Sequence, residues 1–431
     1  MINLKNKIWP NSPLNAENLS PEEIKHFLKI RAAYEKSVFV NNGHVEVRIL
    51  GAKSFTSPIP PEECAISSLA SGLHGKIYGG TAGKKAHLFY YDSNPDADTV
   101  INIGVVGENT AVSSLIVSSD GAVYGSTDGE DSEGLLFVYK PCEVLAGEID
   151  YTARGLREIF DTPVEDQVFH SIVDPCHAVG KIEVLASPIP NEGIASLVMD
   201  ATKNILYGLS SKSGTFFVYD LRSNKVIHNE AVDEVKYFSK PLTLDKNGIV
   251  YGACSKGRIF RYSPNESTIE KLNLFAPSLK GRELYNRIEA WAYDRIHNIL
   301  YGGTIDGIVF SLDIETMKIT CFGKPIDQAN IRTLTIGNDG KIYGIGGEKG
   351  KCCHLFSYNS VTRDLNDLGC LLARVERPWY GYEFACSTTD LNGRIYFGEY
   401  DRISHLFLFF PPIRPMSVQP LSKNISGETN V

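Results

Sequence analysis

The chain has 431 residues, 43% of them hydrophobic, with a formal net charge of −8 and a pI near 5.8. That length can bury a large core, while the acidic balance lacks the basic footprint of a nucleic-acid binder and no Lys/Arg block suits an anionic membrane surface. No run reaches membrane-spanning length, Met1 to Pro10 lacks the apolar segment of a secretory signal, and an odd nine cysteines read as buried thiols in a reducing compartment, so the cytoplasm is the expected location.

Residues 1 to 19 are polar and read as an arm. Ser20-Pro21-Glu22-Glu23 is a helix start, with an N-cap serine, proline at the first helical position and acidic residues in the first turn. Ile24, Phe27, Leu28 and Ile30 to Ala33 follow at helical spacing to Lys36. The pattern predicts one N-terminal helix that caps the main body, within an arm spanning 1–43.

From His44 the pattern turns to strands. His44 to Leu50 alternates with period two, and then a cycle begins. An inner strand A opens each round: Ala65 to Ala70, Ala111 to Val117, Ile194 to Met199, Pro241 to Leu244, Ile288 to Tyr293, Ile331 to Ile336 and Glu383 to Ser387. Hairpin turns such as Asp120-Gly121, Asn247-Gly248, Asp339-Gly340 and Asn392-Gly393 lead into strand B. Strand B carries a Tyr-Gly step at Tyr78, Tyr124, Tyr207, Tyr251, Tyr301 and Tyr343, and a variant at Tyr396-Phe397-Gly398. Strand C is apolar and aromatic, as at His87 to Tyr91 and Thr215 to Tyr219, and strand D is more polar, as at Lys318 to Phe322.

Four antiparallel strands recurring every 40 to 50 residues or so predict an all-β fold, a β-propeller. One gap of about twice that length, near 140–180, leaves room for an eighth blade. It has no Tyr-Gly step, so it reads as an insertion in blade 2, with Lys181 to Ala186 as that blade's outer strand and seven blades favoured over eight. After His405 to Phe410 no outer strand follows, whereas His44 to Leu50 is a spare strand before blade 1. Joining the two closes the ring over 44–411 and removes an exposed edge. Residues 412–431 read as a disordered tail.

Residues just before each strand A, and the B–C turns, share the face where propeller ligands bind. Glu62, Glu63, Glu108 and Glu192 make its first blades acidic, and blades 4 to 7 form an aromatic and basic arc. Arg287, Arg332, Lys240 and Arg377 could hold an anionic group, with Glu289 beside them, and Trp379 could stack on a sugar face. Tyr382, Tyr380 and Glu383 could supply an acid and a base. The same residues could equally line a solvated channel in mutual salt bridges. His-Leu-Phe recurs at His87, His354 and His405, but equivalent atoms of adjacent blades should lie on the order of 14 Å apart at that radius. A shared metal is therefore excluded, and a recurring structural hydrogen bond between blades is expected. His170, Cys176 and His177 in the insertion are too few and too irregular for a metal site. No cofactor motif is present.

The run Gly393 to Pro411 and its sister hairpins resemble kelch- and PQQ-repeat-like propellers, and the chain is similar to single-domain bacterial propellers, some of which are polysaccharide lyases. The lyase resemblance implies a funnel in which arginine neutralises a uronate carboxylate while tyrosine or histidine removes the neighbouring proton. Three readings follow: a carbohydrate-active propeller, specifically a lyase on an acidic saccharide; a non-catalytic scaffold for protein–protein interaction; and another small-molecule enzyme or sensor. The expected partner is an oligosaccharide or other small molecule, with no nucleic acid and no membrane; oligomeric state is not legible.

Overall fold

The computed structural model describes residues 38–50, 59–93, 99–129, 133–141, 180–233, 238–374, 378–401 and 403–412, with Pro21 and Lys25 besides. The expected N-terminal helix thus falls almost wholly outside the described residues, as do most of the 140–180 insertion and the tail beyond 412.

The described strands form five four-stranded sheets, one eight-stranded sheet and a two-stranded hairpin. The eight-stranded sheet is two four-stranded groups joined at one pair, Ala82 with Ala111. Numbered in chain order, groups 1 to 7 have as inner strands Ala65–Ser71, Ala111–Val117, Ile194–Asp200, Thr243–Leu244, Ile288–Asp294, Ile331–Ile336 and Phe384–Thr389. His44–Ile49 pairs antiparallel with His405–Phe410 as the outermost strand of group 7. Lys181–Ala186 pairs with Leu136–Lys140, the place expected of it in group 2.

The core lies between the groups. Each large apolar cluster draws on two successive groups, and the series returns on itself: Ile66, Ile77 and Phe89 of group 1 pack with Tyr396, Leu406 and Leu408 of group 7. Side chains also bind backbone from one inner strand to the next. Ser67 Oγ donates to Val112 O at 2.7 Å, Leu197 N–H to Ser114 Oγ at 3.2 Å, and Leu242 N–H to Ser196 Oγ at 2.9 Å. Cys386 Sγ reaches Ile66 O at 3.7 Å, joining last to first.

The Tyr-Gly step has a packing cause. Gly79, Gly125, Gly208, Gly252, Gly302 and Gly344 pair across the ladder with Phe89, Phe137, Phe217, Phe260, Phe310 and Phe356. Each phenylalanine ring lies over its glycine, where a Cβ would meet it at under 3.0 Å. Group 7 puts Phe397 at this place, opposite Phe407, and moves the glycine to Gly398 against Ile66 and Cys386. The tyrosine hydroxyl serves the A–B turn. Tyr343 and Tyr396 donate to Asp339 and Asp390 at 2.9 and 3.0 Å, and Asp390 Oδ1 also accepts the N–H groups of Asn392 and Arg394.

Two elements differ from expectation. The group 4 inner strand is only Thr243–Leu244, because Pro241 has no N–H to give a ladder and the Leu242 N–H goes to Ser196 instead. The segment before the last inner strand is no plain loop: Leu372–Arg374 and Pro378–Tyr380 pair as a hairpin outside the groups.

Candidate functional site

A cleft of about 550 Å³ opens where groups 6, 7 and 1 meet, on the face from which the inner strands start. Tyr382 and Glu383 lead into the group 7 inner strand, Tyr400 and Asp401 follow its second strand, and Glu62 precedes the group 1 inner strand. Lys349 and Gly350 come from the B–C turn of group 6, and Gly83 from that of group 1. The volume falls in the range of small-ligand sites, roughly 300–1,000 Å³.

A buried carboxylate holds this wall. Glu399, 3% exposed, accepts the Tyr382 N–H on Oε1 at 3.1 Å. Its Oε2 takes His405 N–H at 3.1 Å and His405 Nδ1 at 2.7 Å. Burial raises the pKa of Glu399, and the bonds from His405 oppose that rise. Glu383 Oε1 accepts the Gly350 N–H at 2.7 Å and so ties group 6 to group 7. Ser404 N–H donates to Cys64 Sγ at 3.3 Å, joining group 7 to the segment before group 1, and burial pushes the Cys64 thiol up to about 11.

The lining is acidic and aromatic. Glu62, Glu383 and Asp401 face one lysine, Lys349, among the described lining residues, and Glu62 pairs with Lys84 beside the cleft. Arg402, next after Asp401, lies outside the described residues. Burial, then the negative charge of Glu383, holds the Tyr382 phenol well above its ordinary value. Tyr400 is raised by burial and then by Asp128 and Glu383, although 44% of it stays exposed. Asp128 belongs to group 2, and its Oδ2 lies 3.9 Å from Nζ of Lys240, which precedes the group 4 inner strand. Carboxylates of groups 2 and 7 thus both act on Tyr400.

Of the residues read from the sequence, Tyr382 and Glu383 line the cleft. Tyr380 and Trp379 sit in the hairpin, Tyr380 against Phe39 with ring centroids 5.6 Å apart and Trp379 against His405 at 4.7 Å. Arg287 Nε donates to Glu289 Oε1 at 3.0 Å. Arg332 Nε donates to Gly347 O at 2.9 Å. Glu289 and Arg332 are the extra residues of β-bulges, as are Ser67, Ser113, Ala195 and Ala385 at the same place in other inner strands. Such bulges re-aim a side chain relative to the ladder. Lys240 faces Asp128, and Arg377 lies outside the described residues. Among the described residues the repeated histidines bond within their own groups rather than between groups: His87 with Glu63 at 2.8 Å, His405 with Glu399, and His354 with Asp367 at 2.9 Å.

No family model matches the chain, and no curated protein matches it. Solved structures do. Virginiamycin B lyase from Staphylococcus aureus aligns with a TM-score of 0.57 at 10% identity, over 85% of this chain and 98% of that one. The WD40 repeats of RRP9 align at 0.54 and 12% identity, over 86% and 99%. The extracellular domain of the one-component system BT4673 from B. thetaiotaomicron aligns at 0.55 and 15% identity over 85% of this chain, which spans 40% of that domain. The fold is a β-propeller. At these identities the likeness speaks for the fold alone, and the four-stranded groups are its blades.

Tyr400, Asp401 and Lys349 were not singled out from the sequence. The signal was present, since all three sit in B–C turns, on the face where the sequence reading looks for a site.

Proposed function

We propose that the chain is a seven-bladed propeller, its ring closed by His44–Ile49 in the last blade, and that it acts as a non-catalytic binding module. A partner's side chain would enter the cleft between blades 6, 7 and 1. The observation that carries this reading is the convergence of two tyrosines and three carboxylates on one cleft built across the closing seam.

The alternative, a lyase on a uronate-containing saccharide, needs an arginine available to a carboxylate beside a tyrosine able to take a proton. Arg287 pairs with Glu289, and Arg332 gives its Nε to the Gly347 carbonyl while its buried Nη2 has no partner among the described residues, but neither arginine lines the cleft with Tyr382. Tyr382 is held in its protonated form by burial and Glu383, which suits a hydrogen-bond donor better than a base.

Thermal melting with a panel of peptides and uronate oligosaccharides tests the choice, since a ligand that binds only the folded state raises the melting temperature. Stabilisation by a peptide, lost in Tyr400→Ala, is the expected result. Absorbance growing at the ultraviolet edge from a uronate substrate, and abolished by Tyr382→Phe, would establish the lyase instead.

A further inference from the structure

We propose a second docking surface, apart from the cleft and independent of the reading given to it. It is the connection from group 4 to group 5, and its occupant is a short segment of another protein that sets apolar side chains beside carboxylates. Between Thr268–Phe275 and Ile288–Asp294 the chain turns out Phe275, Leu279, Leu284 and Tyr285, each between 41% and 63% exposed. Single exposed apolar residues are ordinary, whereas four large ones in one connection make a patch of the kind that marks an interaction site. The B–C turn of group 4, Ser255–Gly257, gathers them in space. It packs against Glu283–Tyr285, and its Gly257 carbonyl accepts the Ala276 N–H at 2.9 Å, next to Phe275.

The connection is pinned from beneath. Buried Asp306 accepts the Leu279 N–H at 3.0 Å and Arg282 Nε at 2.6 Å. The buried Asn286 amide donates to the Ala276 and Pro277 carbonyls at 2.8 and 3.2 Å. A backbone fixed in this way has little freedom left to lose when a partner docks. Charge then names the partner. Residues 275–287 carry Lys280, Arg282 and Arg287 against one carboxylate, Glu283, in a chain whose net charge is −8. Arg282 is held by Asp306, Arg287 by Glu289, and Glu283 accepts the Gly281 N–H. Lys280 and Lys256, the latter in the turn beside the patch, are exposed and enter no ion pair among the described residues. Two such ammonium groups flanking an apolar surface steer carboxylates onto it. A short segment feels this local field within a Debye length, whereas an extended anionic lipid surface would also meet the chain's overall negative charge.

Panning a displayed library of random peptides, about twelve residues long, on the full chain tests this, with calorimetric titration of the enriched sequences. Those sequences should combine aliphatic or aromatic residues with Asp or Glu. Their binding should fall about ten-fold in Leu284→Asp and again about ten-fold in Lys256→Glu with Lys280→Glu, and weaken at high salt. It should be unchanged in Tyr400→Ala, each variant first being shown to melt like the parent. No enrichment, enrichment of basic or purely polar peptides, or binding indifferent to Leu284 and the two lysines would overturn the surface. Binding lost in Tyr400→Ala alone would place the peptides in the cleft, overturning this proposal and sparing that one. Binding to phosphatidylserine vesicles that the lysine substitutions abolish would overturn a protein partner in favour of lipid. A dimer in sedimentation that Leu284→Asp dissociates would overturn it in favour of a second copy.

Discussion

The backbone N–H of Tyr382 donates to Glu399 Oε1 at 3.1 Å, fixing one wall of the cleft to a buried carboxylate 17 residues further along the chain. The same carboxylate takes two bonds from His405, against which Trp379 packs. Glu399→Ala should therefore lower the unfolding free energy by about 3 kcal/mol, because a buried donor left without its acceptor costs roughly 1–3 kcal/mol. Glu399→Gln keeps a carbonyl acceptor and should lose less. Urea unfolding reads both, and unchanged midpoints would contradict the role given to this carboxylate.

Gly302 lies under Phe310 with no room for a methyl group. Gly302→Ala should cost about 1–3 kcal/mol through overpacking. Adding Phe310→Leu should recover part of that loss, so the double variant is more stable than the two single effects summed. Strict additivity would show that the ring is not what keeps glycine there.

These glycines explain why the architecture was legible. A Tyr-Gly step recurs because the next strand lays a phenylalanine across it in every round but the last, and a contact repeated in space leaves a period in sequence. The spare strand His44–Ile49 was legible for a like reason, an alternating segment with no partner of its own beside a last blade lacking one. The cleft was not. Glu62 and Asp401 are brought together only where group 7 packs against group 1, and nothing local in either segment records the other. Trp379 and Tyr380 stand apart from the lining of this cleft and pack against His405 and Phe39.

The His354 imidazole is held at about 10 rather than 6.5, first by its bond to Asp367 and then by Cys370. The folded form therefore holds the proton more tightly than the unfolded chain. The pair's contribution is full below pH 6.5 and is lost as pH rises through about 10. Asp367 is 40% exposed, so solvent screening limits the effect to roughly 1 kcal/mol. Asp367→Asn should be less stable than the parent at pH 6 and converge with it at high pH. A constant difference across that range would contradict the linkage.

Removing the chain up to Leu50 should strip the outer strand from His405–Phe410 and leave an apolar edge unpaired. The truncated protein should melt at lower temperature and aggregate, and a peptide of residues 38–50 added in trans should reverse both. An unaltered melt would show that the pairing of His44–Ile49 with His405–Phe410 contributes nothing.

Hydrogen–deuterium exchange with and without a peptide that raises the melting temperature addresses the cleft most directly. Slower exchange at 61–65, 82–84, 349–351, 382–384 and 400–401, with 287–289 unchanged, is the expected result. Protection confined to 287–289 and 332, or none on that face, would contradict it.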